Sequence, residues 1–259
     1  MRWAAPAALV ALLIGGWELL ARLGRIEDYL LPAPSEVARA LVEDRGLLAP
    51  DTWVTAREVL LGFALAAAAG FAIAVALHLS PLLRKAFYPL VVASQAVPVV
   101  VIAPILVIWL GFGIAPKLIV IGLICFFPIV VNTLDGLQSV DPDQVKLLRT
   151  LDASRWDLFR RLELPTSLPY LFSGAKVAVA VSVIGAVFAE LVGSDAGLGH
   201  AIQVGTAELL TARVFAAVLI LSLMAIALFG LVAAAERLAL PWVHGGADPR
   251  WRARRRGPS

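Results

Sequence analysis

Cysteine, histidine and charged residues are scarce in this chain of 259 residues. The one cysteine, Cys125, lies in an apolar run, which excludes a disulfide and a cysteine-based metal site. The three histidines are far apart in the sequence, and neither H-E-x-x-H nor G-x-S-x-G occurs. We therefore expect no metal site and no catalytic residues, so an integral-membrane enzyme with a polar catalytic set is disfavoured.

The low charge content indicates a membrane protein. Charged residues make up 16% of the chain and hydrophobic residues 60%, with a mean hydropathy of +0.87, whereas soluble domains are about one quarter charged. Six apolar segments approach or exceed the roughly 20 residues that a spanning helix needs. The prediction is an all-α polytopic protein with about six spans, at Ala4–Leu20, Val54–Leu79, Phe87–Leu110, Pro116–Leu137, Leu168–Val192 and Val214–Leu238.

Lysine and arginine set the expected orientation. With the N-terminus inside, fourteen of these residues fall on the inner side and seven on the outer side, as the positive-inside rule requires. We therefore expect both termini in the cytoplasm. The length of the first segment, and its lack of a small-residue cleavage site, favour a retained anchor over a signal peptide. The arginine-rich end is interpreted as a cytoplasmic tail and not as an RNA-binding patch, so no nucleic-acid partner is expected.

Several polar and helix-breaking residues interrupt the apolar segments. Pro89, Pro98, Pro104 and Pro128 remove backbone donors and suggest kinked or broken helices, which many transporters use to line a path. Lys176 either snorkels to the inner interface or pairs with Asp135. The candidate substrate-pathway residues are the remaining polar groups within or near the spans: Ser94, Gln95, Asn132 and Glu190.

The outer loop at residues 24–52 contains one further element. Ser35 is a suitable N-cap and Glu36 lies in the expected first turn, followed by an apolar stripe. This pattern predicts a short helix at the outer interface. The predicted organisation is an N-terminal anchor with this helix at 1–50, a transmembrane domain at 51–238 and a basic cytoplasmic tail at 239–259.

A polar island at Val140–Pro165 separates the fourth and fifth apolar segments. It combines five basic residues with apolar side chains at helical spacing, which is typical of an amphipathic docking helix. The chain has no G-x-x-x-x-G-K-[ST] sequence and therefore no P-loop of its own. The centres of its spans are nearly free of the acids that ion-coupled secondary transporters carry. Energy is therefore expected to come from outside the spans and to enter through the island.

The island resembles the EAA loop of binding-protein-dependent ABC importer permeases. That pattern is E-A-A, three residues, Gly, nine residues and then I-x-L-P. Here Lys146, Leu147 and Leu148 stand at E-A-A, Asp152 at the glycine, and Leu164-Pro165 at the end. The resemblance extends over nearly the whole chain. It implies ATPase-coupling residues at Lys146, Leu147, Leu148, Leu151, Asp152, Ala153, Ser154, Trp156, Leu164 and Pro165.

Other motifs resemble one subfamily. Leu31–Val37, Trp109–Gly113 and Gly193–Ile202 look like nitrate/sulfonate/taurine-type permeases, and Phe126–Thr133 with Asp135–Leu137 looks most like members importing a thiamine pyrimidine precursor or riboflavin. Anion import of the sulfonate type is the alternative. The resemblance implies a type I importer in the bacterial inner membrane. Its expected partners are a cytoplasmic ATPase dimer that binds ATP and Mg, an extracytoplasmic binding protein and a second permease copy, with no cofactor in this chain.

Overall fold

The computed structural model describes residues 4–23, 27 and 30–244, and no β-strand occurs among them. The predicted all-α class is therefore confirmed. The predicted cytoplasmic tail at 239–259 lies outside the described residues from residue 245 onward, and its five arginines are in that part.

In the part of the chain that the structure describes, four helices are long and apolar enough to cross a membrane. They are α3 (Arg45–Leu79), α6 (Ile114–Gln138), α9 (Leu164–Gly193, continuous with the short helical turns from Arg155) and α11 (Thr211–Ala239). Each contains one of the predicted spans and extends it at one or both ends. The first predicted span is the helix α1 (Ala4–Leu23), whose 20 residues have the length for a crossing.

The remaining predicted span is broken in the structure. It consists of α4 (Pro81–Ala93), a 3₁₀ turn at Ser94–Ala96 and α5 (Val99–Leu110), and the pair counts as a fifth crossing if it forms one span. The break falls at Val97-Pro98, where the proline lacks the N–H that would continue the helical ladder. Pro89, Pro104 and Pro128 stay inside their helices.

The chain forms two compact units. The first contains the described residues of Met1–Leu65, Pro98–Ile124 and Ala180–Ile226, and the second those of Ala66–Val97, Cys125–Val179 and Ala227–Ser259. One core of the first unit is built on Ala103, Leu106, Val120 and Ala189. One core of the second is built on Ala74, Leu77, Val91, Val130 and Leu134. Small residues permit close helix approach within the second unit, where a Cβ on Gly174 would lie 2.5 Å from the Pro128 carbonyl oxygen.

The short helix predicted after Ser35 is present as α2 (Pro34–Glu43), but its N-cap differs from the prediction. Ala33 occupies the N-cap position, and the Glu36 carboxylate accepts a hydrogen bond from the Ala33 N–H at 3.0 Å. Pro34 can open the helix because its missing N–H would be unpaired there. Ser35 bonds elsewhere, through its N–H and hydroxyl to the Glu18 carboxylate of α1.

Candidate coupling surface and buried polar network

The helix α7 (Pro142–Thr150) lies within the polar island and has well-defined ends. Asp141 caps its start by accepting the Asp143 N–H at 2.8 Å. Its end carries the two hydrogen bonds of a Schellman motif. Ala153 N–H donates to the Leu148 carbonyl and Asp152 N–H donates to the Arg149 carbonyl, each at 3.1 Å.

Asp152 adopts a left-handed backbone conformation, with φ at 57°. It occupies the position after the helix cap, where glycine is favoured because it has no Cβ to strain. This accounts for the glycine in the EAA pattern. Aspartate is among the few other residues that visit this region, so the departure at Asp152 preserves the turn.

We expect Asp152→Gly to stabilise the turn by about 0.5–1 kcal/mol and Asp152→Val to destabilise it by more than that. The reason is that a β-branched residue is disfavoured where φ is positive. Thermal unfolding of the purified permease measures both changes. If the valine variant were as stable as the wild type, the left-handed turn would be absent.

Exposed apolar side chains lie on α7, in the turn that follows it and in the next short helix. Leu147, Leu151 and Trp156 are 62%, 70% and 61% exposed, and we call these three residues the coupling surface. Leu148 and Ala153 are half-buried behind it. Lys146 is exposed and forms an ion pair with Asp143 at 2.9 Å, a solvated contact of little energetic weight.

The segment after the turn is anchored within the second unit. Ser154 caps α8 (Arg155–Leu158) by accepting the Asp157 N–H at 3.1 Å. A π-helical turn at Phe159–Glu163 then leads into α9, where Leu164 and Pro165 are half-buried. The Phe159 ring is buried, and Glu163 Oε2 lies 2.8 Å from His78 Nε2. The exposed coupling surface is thus fastened to the spanning helices α3 and α9.

Three of the four candidate pathway residues lie in the second unit. Ser94 and Gln95 are exposed in the 3₁₀ turn between α4 and α5, and the Ser94 hydroxyl donates to the Val91 carbonyl at 2.7 Å. Asn132 is half-buried on α6, where its amide donates to the Pro128 carbonyl at 2.7 Å.

Glu190 occupies a different environment, buried inside the first unit. Its Oε1 accepts from the Thr55 hydroxyl at 2.7 Å, and its Oε2 accepts from the Gly199 N–H at 2.5 Å. Thr55 Oγ1 in turn accepts from the Leu198 N–H at 2.9 Å. These bonds hold the start of helix α10 (Leu198–Ala207) against α3.

The same loop is held at two more points. The Gly197 N–H donates to Asp51 Oδ1 at 2.8 Å, and Gly197 has a φ of 110° that suits glycine. Lys117 Nζ donates to Glu58 Oε1 at 2.7 Å and to the Ser194 hydroxyl at 2.6 Å. Lys117 and Glu58 are both buried, so the pair is desolvated. We call Asp51, Thr55, Glu58, Lys117, Glu190 and Ser194 the loop network.

Sequence reasoning missed most of the loop network. One face of α3 carries three polar residues at helical spacing, Asp51, Thr55 and Glu58. A polar face on an otherwise apolar helix could have indicated a buried polar contact. Lys117 was one of the seven basic residues counted on the outer side. The interpretation of Glu190 as a residue facing a pathway stays a prediction, and in the structure both of its oxygens are already bonded within the chain.

The partner of Lys176 differs from the one that the sequence suggested. Lys176 Nζ donates to Glu236 Oε2 at 2.8 Å, within the second unit, whereas Asp135 is exposed. The suggested pairing with Asp135 was wrong because the Lys176 ammonium is already bound by the Glu236 carboxylate of α11. Among the described residues, no three His, Cys, Asp or Glu side chains come together as a metal site would require.

Comparisons with known proteins agree with this architecture. The formylaminopyrimidine transport permease protein ThiX of Halalkalibacterium halodurans is 35% identical, over 92% of this chain and 95% of its own length. The riboflavin transport system permease protein RibX of Chloroflexus aurantiacus is 34% identical, over 92% and 89%. The taurine transport system permease protein TauC of Escherichia coli is 28% identical, over 91% and 88%.

The fold is also found among solved structures. A chain of the MetNI methionine ABC transporter, in an inward-facing conformation, matches with a TM-score of 0.57 and 19% identity over 73% of this chain and 96% of its own length. The family model described as the binding-protein-dependent transport system inner membrane component matches residues 66–239, a range that includes the coupling surface. The chain therefore belongs to this family and is the transmembrane permease subunit of an ABC importer.

Proposed function

We propose that this permease imports one of two compounds: riboflavin, or a pyrimidine precursor of thiamine. The observation that carries the proposal is the similarity to ThiX and RibX, at 35% and 34% identity over more than nine tenths of the chain. Taurine-type anion import is the second candidate, because TauC matches over a similar length at 28% identity.

The coupling surface is proposed to seat in a cytoplasmic ATPase that binds ATP and Mg²⁺. The three exposed apolar side chains lie within ten residues of the chain, and side chains of this kind bury well in a partner. Their anchoring through His78–Glu163 and Phe159 gives a path by which movement of the ATPase would displace α3 and α9. A homodimer of the permease, with both termini in the cytoplasm, completes the proposed assembly.

We expect Leu151→Glu to abolish co-purification of the ATPase encoded with the permease, because a carboxylate would be buried in the contact without a partner. Leu151→Met keeps the apolar volume and is the matched control. Affinity purification of the tagged permease from cells that express all subunits measures the effect. ATPase recovery equal to wild type for Leu151→Glu would show that the coupling surface is not the contact.

The substrate assignment is tested in two steps. Formylaminopyrimidine, riboflavin and taurine are each added to the cognate binding protein, and we expect a thermal shift with one of the first two. Uptake of that compound into proteoliposomes holding the complete importer should require ATP and persist when an ionophore collapses the ion gradients. Uptake that survived ATP removal and failed with the ionophore would contradict the proposed mechanism.

A further inference from the structure

A cavity of about 340 Å³ opens where α3 ends and α4 begins, within the second unit, and we call it the α3–α4 cavity. One wall is His78, near the end of α3. The other wall is a single face of α4, because its residues recur at helical spacing. The lining residues are His78, Pro81, Arg84, Lys85, Tyr88 and Pro89.

The charge of the α3–α4 cavity is positive. Arg84 and Lys85 are both exposed, and no ion pair within the described residues uses either of them. Glu163 lies 2.8 Å from His78, but its side chain is only 13% exposed and does not line the cavity. The two bases are therefore available to an anionic ligand.

Local contacts fix both walls of the α3–α4 cavity. Ser80 caps α4 by accepting the Leu83 N–H at 3.3 Å. The Tyr88 side chain packs against the core of the second unit, and His78 is held by Glu163. A preformed site of this kind binds a ligand at a low ordering cost.

The surroundings of the α3–α4 cavity are apolar. Leu82, Phe87 and Leu90 are exposed on the same helix that carries the two bases. Apolar side chains beside basic ones are typical of a helix that meets acyl chains and lipid headgroups together. The ligand that matches both features has an anionic group and apolar chains, as a phospholipid does, whereas a free phosphate lacks the chains.

The contact between His78 and Glu163 also gives the side of the membrane. Glu163 directly precedes α9 and follows the segment that carries the coupling surface, so the cavity lies at the same end of α3 and α9 as that surface. If the coupling surface faces the cytoplasm, the cavity opens at the inner leaflet. This placement rests on the proposed function. Basic pockets on the cytoplasmic side of spanning helices suit anionic lipid headgroups.

We propose that the α3–α4 cavity is a binding site for an anionic phospholipid. Arg84 donates two N–H groups to phosphate oxygens, and Lys85 adds a second positive charge at the edge of the cavity. The acyl chains lie along the exposed apolar side chains of α4.

The test measures lipid binding to the purified permease in detergent by native mass spectrometry. Phosphatidylglycerol is the probe, and phosphatidylcholine, which has no net charge, is the comparison lipid. We expect tighter binding of phosphatidylglycerol, weakened about fivefold by Arg84→Gln and about 25-fold when Lys85→Gln is added. Arg237→Gln removes an exposed base near the end of α11, outside the cavity, and is the matched control with wild-type binding.

Folding does not complicate the comparison. Arg84 and Lys85 are exposed and unpaired within the described residues, so without added lipid the variants should unfold at the wild-type temperature. Added phosphatidylglycerol should raise the unfolding temperature of the wild type and of Arg237→Gln, and raise it less for the double variant.

Three results would overturn the proposal. The first is phosphatidylglycerol binding by the double variant that equals that of Arg237→Gln. The second is displacement of the lipid by an equal concentration of glycerol phosphate, which would assign the cavity to a soluble phosphate. The third is a loss of ATPase recovery with lipid binding unchanged, which would assign it to the ATPase contact. Lipid binding to the permease needs neither ATP nor substrate, so failure of the proposed function, seen with Leu151→Glu, is measured separately.

Discussion

Lys117→Met is expected to cost the permease about 3–5 kcal/mol of folding free energy, the usual cost of breaking a buried ion pair from one side. Lys117 donates to Glu58 at 2.7 Å, and the two side chains are only 8% and 3% exposed. Removing the ammonium leaves the Glu58 carboxylate buried without a cation. Since the net stability of a protein is typically about 5–15 kcal/mol, most of the variant should fail to accumulate as folded protein.

The double variant Glu58→Gln with Lys117→Met provides the control for charge. Replacing both partners removes the unpaired carboxylate, so we expect stability to return to within about 1–2 kcal/mol of wild type. Lys85→Met changes an exposed lysine and should have no measurable effect. Fluorescence-detected size exclusion of heated samples measures the stability of the double variant, of Lys117→Met and of Lys85→Met. A double variant as unstable as Lys117→Met would mean that the charge pair is not what holds the loop.

The sequence was sufficient to predict the spans because each depends on local composition. Runs of about 20 apolar residues identify membrane helices directly, and the six predicted segments coincide with α1, α3, the α4–α5 pair, α6, α9 and α11. Pro98 was recognised as a helix breaker, and the structure breaks the third span beside it. Amphipathic spacing and the EAA resemblance likewise predicted a docking helix where α7 forms.

The polar contacts could not be predicted in the same way. Lys117 is 59 positions from Glu58 and 77 from Ser194, and Glu190 is 135 from Thr55. Nothing in local composition pairs residues at such separations, which is why the partner considered for Lys176 was Asp135 and not Glu236. The positive φ of Leu209 was equally inaccessible, because leucine does not signal it, whereas aspartate at Asp152 is one of the residues that visit this region.

Glu190→Ala is expected to have an effect close to that of Lys117→Met. The change leaves the Thr55 hydroxyl and the Gly199 N–H buried without an acceptor, at about 1–3 kcal/mol each. A Cβ placed on Gly197 would contact the Glu190 carboxylate, so the loop is closely fitted to this side chain and cannot collapse onto the space it leaves. Loss of the monodisperse folded peak in size exclusion measures the effect.

Glu190→Gln distinguishes a structural role from a role in the pathway. The glutamine oxygen can accept from the Gly199 N–H, and the Thr55 hydroxyl can turn to accept from the amide while it still accepts from the Leu198 N–H. We therefore expect Glu190→Gln to fold within about 1 kcal/mol of wild type and to transport normally in the proteoliposome assay. A variant that folds, retains its ATPase and fails to transport would show that the negative charge itself serves the substrate. In that case Glu190 would be a pathway residue, as the sequence suggested, in addition to the anchor of its loop.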